Sequence, residues 1–300
     1  MPIAVLLLVV QLVLLAISYY FARLVIFPKV TPFAETQRLA LEWGWVTEEK
    51  YTPWPKEEFT IRSPYGYDLS AIYHPVPGSR KTVVLTHGIT FSRYGMVKYA
   101  SMFYERGWNV LLYDIRHHGQ SGGPNTTFGH FEKYDLKAVV DWAFDRLGPG
   151  GIVGTVGESL GAATTLQHAA IDPRIAFAIA DCSYSSLFAQ LAYRARVEYR
   201  LPAFPLVYLA ALWVWIMSGM RMSKVAPVKD LPNIETPIFF VHGKEDTYIP
   251  PKMSIDMYRA KTKGVRKLYL APDANHAESV VKNPLEYDQK VGEFLQEIGL

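Results

Sequence analysis

The chain has 300 residues, half of them hydrophobic and 20% charged, enough for one large domain or two small ones and too apolar for a disordered chain. Its 31 basic and 28 acidic residues leave a net charge of +3 with no basic block, so nothing marks a nucleic-acid partner. Cys182 is the single cysteine, which excludes an internal disulfide and reads as a small buried residue.

The N-terminus is distinct. From Ile3 to Ala22 there is no formal charge, and a helix over that run is about 30 Å long, the thickness of bilayer hydrocarbon. Tyr19, Tyr20 and Phe21 gather at its end, followed by Arg23 and Lys29, as in an interfacial belt. The rival readings are a cleaved signal peptide and a buried core helix. No Lys or Arg precedes the run, AISYYFA is a poor cleavage site, and the uniform apolarity does not suit a core helix. The expectation is a single-pass N-terminal membrane anchor over residues 1–28. Arg23 and Lys29 on its C-terminal side favour a cytoplasmic body. A linker over residues 29–56 follows, with a short amphipathic helix in TPFAETQRLALEWGW (31–45).

Two alternating runs around Pro64-Tyr65-Gly66 predict a hairpin. Beyond it, apolar runs TVVLTHG, WNVLLYD, GIVGTVG, IAFAIAD, PIFFVHG and RKLYLAP alternate with helical segments near 93–106, 132–147, 160–171, 251–262 and 284–297. Short apolar runs closed by Gly, Asp or Pro read as strands buried on both faces, and strand-helix alternation reads as a mainly parallel sheet with helices on both sides. Ligands bind beyond the carboxyl ends of such strands. The interval between Asp181 and Pro237 is far longer than a crossover needs. The expected division is a core of residues 57–183 and 231–300, with a helical lid inserted over 184–230.

Gly157-Glu158-Ser159-Leu160-Gly161 fits G-x-S-x-G after an apolar strand and before a small-residue helix. A sharp strand-to-helix turn there holds the serine hydroxyl proud of the sheet, and larger residues at the glycine positions would collide with strand and helix. A packing turn gives the same pentapeptide, so partners decide. A serine needs a base, and the base a carboxylate to orient it. Asp246 follows one strand, with Glu245 adjacent; His276 follows the next; and Ser, Asp, His is the chain order that accompanies this turn. Asp181 is the fallback acid and Asp273 a poorer one. The strand ending at His87-Gly88 brings the Ile89 amide, with Thr90 as alternative, to join the Leu160 amide as an oxyanion hole. Glu158 reads as a carboxylate tied to backbone or a nearby base. His117, His118 and His130 lack a carboxylate or cysteine at ligand spacing, so no metal is expected.

With THG, YDIRHHGQSGG, GESLG, HGKEDTYIP and NHAES over roughly residues 57–298, the chain resembles the α/β-hydrolase superfamily. It is similar to the membrane-anchored bacterial branch near serine aminopeptidases and monoacylglycerol lipases. The resemblance implies an α/β-hydrolase fold with an eight-stranded sheet, Ser159 as nucleophile, Asp246 as acid and His276 as base. It also implies that Asp114, His118 and Gly119 are structural props near the oxyanion loop. No cofactor is required.

The stretch LPAFPLVYLAALWVWIMSGM (201–220) is apolar nearly all round, and its prolines make it short for a second membrane crossing. The expectation is a lid whose inner face lines an apolar pocket, with Phe204, Tyr208 and Trp213 binding substrate, and whose outer face meets lipid. The resulting reading is a serine hydrolase of carboxylesterase or lipase type acting on small-molecule esters at the bilayer. The alternatives are a peptidase or amidase using Arg194, Arg196 or Arg200 for recognition, and a catalytically silent binding protein.

Overall fold

A computed structural model of the protein describes residues 3–45, 51 and 53–300. Its centre is a sheet of β1 (Glu57–Arg62), β2 (Asp68–His74), β3 (Lys81–Thr86), β4 (Asn109–Tyr113), β5 (Ile152–Glu158), β6 (Phe177–Asp181), β7 (Ile238–Gly243) and β8 (Arg266–Ala271). The spatial order is β1-β2-β4-β3-β5-β6-β7-β8. The expected hairpin is β1 and β2; β2 also pairs antiparallel with β4, and the pairings from β4 through β8 are parallel. The main helices are α1 (Ile3–Ile26), α2 (Phe33–Glu42), α3 (Val97–Tyr104), α4 (Glu132–Leu147), α5 (Leu160–Ala169), α6 (Leu187–Glu198), α7 (Leu206–Ser218), α8 (Lys252–Ala260) and α9 (Pro284–Glu297).

The apolar runs are continuous because both faces of the strands are covered. Val83, Leu85, Val110, Leu112, Phe239 and Val241 face a core closed by α3 and α9. Val84, Leu111, Ile238 and Phe240, the residues between them, face a second core closed by α4 and α5. Side chains alternating between two cores leave no polar face to interrupt the run. Parallel pairing then sets the ends of β5, β7 and β8 at one sheet edge, and with them the loops that carry Ser159, Asp246 and His276.

Between β6 and β7 the insertion carries α6 and α7. A third apolar cluster joins Tyr184, Leu187, Val207, Ala210 and Val214 to Ala22 and Ile26 of α1. The N-terminal helix ends at Ile26, inside the expected anchor of residues 1–28, and its last turns dock along α7. Buried Ser18, Ala22 and Ile26, four apart, form its docking stripe. Tyr19 meets Trp213 edge-on at 5.4 Å, and Phe21 meets Tyr199 at 4.8 Å. The last turns of the region expected as an anchor are thus packed against the insertion. Of that linker, residues 46–50 and 52 lie outside the described residues, as do residues 1–2 of the anchor.

Candidate active site

Ser159 alone turns the chain from β5 into α5. Its φ of 55° and ψ of −113° lie in left-handed territory, which costs a non-glycine residue about 1–3 kcal/mol. The flanking glycines are required by close approach. A Cβ on Gly157 would lie 2.2 Å from the Gly161 carbonyl oxygen, and one on Gly161 2.0 Å from that of Thr86.

The loops after β7 and β8 meet this serine. His276 Nε2 is 2.9 Å from Ser159 Oγ, and His276 Nδ1 is 2.7 Å from Asp246 Oδ2. The other carboxylate oxygen accepts the amides of Tyr248 and Ile249, each at 2.8 Å. A second imidazole, His242, reaches Asp246 Oδ2 at 3.1 Å while its Nδ1 meets Ser254 at 2.7 Å. Burial works against the Asp246 charge, but hydrogen bonds from His242 and His276 outweigh it and hold the carboxyl well below the usual carboxylate range. The competing acids lie elsewhere. Asp181 accepts from Tyr99 and Ser279, and Glu245 accepts the Ala274 amide, bracing the loop before His276.

The loop after β3 lies against the serine, since a Cβ on Gly88 would sit 3.5 Å from Ser159 Cβ. Thr90, the alternative donor, is engaged: its amide donates to His118 Nε2 at 3.1 Å. Ile89 and Leu160 line the space over Ser159, and Leu160, first in α5, has no intrahelical acceptor for its amide. His118 is kept neutral because burial pushes its pKa down to about 3, with Nδ1 donating to the Arg116 carbonyl at 2.9 Å. Asp114 accepts the Arg93 and Gln120 amides and pairs with the Arg93 guanidinium at 3.0 Å; a Cβ on Gly119 would lie 2.2 Å from its carboxyl carbon. These residues brace the loop from behind.

Beneath Ser159, Glu158 pairs with the buried Lys98 at 2.6 Å, so its base is a side chain of α3. Lys98 also donates to the Ala277 carbonyl at 3.0 Å, and Tyr99 shares its hydroxyl between Glu158 (2.7 Å) and Asp181 (3.0 Å). Lys98 lies outside the sequence motifs, and His242, although it opens HGKEDTYIP, is given no role by that motif. The only hint is a lone cationic or imidazole side chain within an apolar element, as in GMVKYASMF and PIFFVHG.

A family profile described as alpha/beta hydrolase fold matches residues 81–207. The Uncharacterized protein YqkD of Bacillus subtilis is 37% identical over 284 residues, spanning 94% of this chain and 92% of that protein. The chain belongs to the α/β-hydrolase superfamily. Among solved structures, the Pyrococcus furiosus esterase Pf2001 matches the hydrolase with a TM-score of 0.69 at 26% identity, over 85% of this chain and 96% of that one. The acylaminoacyl peptidase of Pyrococcus horikoshii shares the fold, with a TM-score of 0.61 at 16% identity over 83% of this chain and 42% of that one.

Over Ser159 the hydrolase has a cavity of about 600 Å³, within the range of small-molecule sites. Its walls come from α6 (Leu187, Leu191), α7 (Leu206, Val207, Ala210) and, unexpectedly, α1 (Phe21, Leu24, Val25). The three residues expected to bind substrate are not among its lining. Phe204 is 73% exposed, Tyr208 is 55% exposed, and Trp213 packs on Tyr19. The reason is physical: a helix apolar on every side gives no period from which to read its inner face.

Among the described residues, Cys182 with Asp246 and His276 is the acid, thiol and imidazole cluster tight enough for a cation, with ligand atoms within 4.8 Å. It suits one poorly. Burial and the nearby carboxylates of Asp181 and Glu158 keep the thiol protonated, while Asp246 and His276 are bonded to each other.

Proposed function

We propose that the hydrolase is a membrane-anchored serine esterase cleaving carboxylic esters with an apolar acyl part. The observation that carries this is the hydrogen-bonded chain Asp246–His276–Ser159, at 2.7 and 2.9 Å, under an apolar cavity. Ser159 Oγ attacks the ester carbonyl as His276 Nε2 takes its proton, and Asp246 holds the resulting imidazolium. The amides of Ile89 and Leu160 receive the oxyanion, each contributing about 3 kcal/mol. His276 then protonates the departing alcohol, leaving an acyl-serine. Water enters, gives its proton to His276 and attacks the acyl carbon; His276 returns the proton to Ser159 as the acid leaves.

The anchor is α1, whose length and hydropathy of 2.5 suit a membrane span. Arg23 and Lys29 favour a cytoplasmic body, which a reporter fused after Leu300 reads directly. The peptidase alternative needs a charged recognition group. Of the candidate arginines, Arg194 lines the cavity but pairs with Glu198 and lies 4.2 Å over the Tyr248 ring, so the ester reading is preferred.

A fluorophosphonate probe tests the nucleophile. Labelling is expected in the native chain and lost in Ser159→Ala; labelling that persists in the variant rejects the assignment. Aryl esters are expected to turn over faster than matched anilides, and the reverse order favours the amidase.

A further inference from the structure

The cavity over Ser159 is bounded on one side by α1, a helix that precedes the whole sheet. Phe21, Leu24 and Val25 recur at helical spacing as a stripe beside the docking stripe of Ser18, Ala22 and Ile26 and line the cavity, joined by Pro28 just past the helix end. The wall is fixed relative to the serine. The Thr126 amide donates to the Ile26 carbonyl at 3.0 Å, and the Thr31 amide to the carbonyl of Thr90, next to Ile89, at 2.8 Å.

We propose that the last turns of α1 are the specificity wall of the acyl site, so that Leu24 and Val25 set the acyl length accepted and the substrate is a long-chain ester drawn from the membrane. This rests on the ester-hydrolase reading. Two quantities support it. At about 30 Å³ per water-sized group, the cavity of about 600 Å³ holds roughly twenty heavy atoms, a long acyl chain rather than an acetyl group. The stretch of α1 free of buried residues, Ile3 to Ile17, is only about 22 Å long, short of the roughly 30 Å of bilayer hydrocarbon. A spanning α1 must therefore take its docked turns toward the lipid, and the exposed Tyr208, Leu212, Trp215 and Ile216 of α7 go with them. The helix in contact with lipid and the wall of the cavity are then one element, and an acyl chain leaving the bilayer meets Leu24 and Val25 on its way to Ser159.

The test uses the full chain in detergent micelles and a series of aryl esters from acetyl to palmitoyl. Val25→Trp is expected to lower the long-to-short ratio of kcat/KM at least about tenfold, and Val25→Ala to move it the other way. Leu24→Trp, at a more exposed position, gives the same shift if the first variant does not fold. Leu12→Trp, on the free part of α1, leaves the profile unchanged. A native profile in both tryptophan variants overturns the proposal while leaving esterase activity intact. A native chain that hydrolyses no ester, or a Ser159→Ala variant that matches it, takes down the esterase reading and this wall together.

Discussion

Replacing Asp246 by asparagine keeps the side-chain volume and reverses the hydrogen-bonding logic at the base. One carboxylate oxygen accepts the amides of Tyr248 and Ile249, so the asparagine oxygen must stay there, because an NH2 group would face two donors. The new NH2 then points at His276 Nδ1 and His242 Nε2. His276 must accept at Nδ1, which moves its proton to Nε2, 2.9 Å from Ser159 Oγ, where a lone pair is needed. In trypsin-type triads this inversion lowers kcat about 10⁴-fold, or about 5 kcal/mol of barrier. His242 retains the Ile249 carbonyl at 2.8 Å, so the stability loss stays at about 1–3 kcal/mol. The assay is kcat and KM for an aryl ester with the full chain in micelles, alongside the rate of fluorophosphonate labelling. Both rates fall together and KM changes little, since Asp246 does not line the cavity. A folded Asp246→Asn protein with kcat within about tenfold of native refutes the assignment of Asp246 as the orienting acid.

Other consequences follow from buried charge and close contact. Burial holds His74 and His87 down at about 4 and His118 at about 3, whereas in the unfolded chain each takes a proton near pH 6.5. Their contribution to stability is complete above that pH and declines toward pH 4, by up to about 1.4 kcal/mol per pH unit for each. Asp135, raised by burial to about 6, offsets about one imidazole below that pH, and Asp246, depressed in the folded state, adds its own loss only below about pH 4. Tm should therefore still begin to fall near pH 6.5; a flat profile down to about pH 5 is incompatible with three neutral buried imidazoles. Lys98→Met leaves Glu158 without its cation and should cost about 3–5 kcal/mol in denaturant unfolding, partly recovered by Glu158→Gln in the same chain; an unchanged midpoint contradicts the pairing. Gly161→Ala sets a Cβ 2.0 Å from the Thr86 carbonyl oxygen and should cost about 3 kcal/mol or more, read as a lowered Tm; native melting disproves the contact.

The sheet was legible because its strands have two covered faces. The run IAFAIAD predicts a strand and β6 spans Phe177–Asp181; PIFFVHG predicts another and β7 spans Ile238–Gly243. Helix periodicity locates α4 and α9 well, since each has one polar face to contrast with an apolar one. The elbow was legible from its glycines, whose requirement is steric. The carboxylate that meets His276 was less so: Asp181 ends β6 while Glu245 and Asp246 follow β7, and only the register of the β7 loop aims Asp246 Oδ2 at His276. Of the cavity wall, only the share taken by the apolar insertion helix was legible, not which of its residues face inward nor the part that α1 plays. In α1 and α7 apolar residues occupy every side, so composition gave a membrane helix and a lid without saying that Val25 and Ala210 face the same space.

The placement of the triad loops along the chain also bears on biosynthesis. Ser159 follows the fifth strand, but Asp246 and His276, its proposed partners, follow the seventh and eighth, and 117 residues separate Ser159 from His276. At ordinary elongation rates that interval takes on the order of ten seconds. Through it, a chain still on the ribosome carries its leading apolar helix and Ser159 while lacking His276, the base proposed to deprotonate that serine. On the proposed mechanism, hydrolytic competence arrives only after the final edge strand, and a polypeptide cut short before His276 lacks the proposed base.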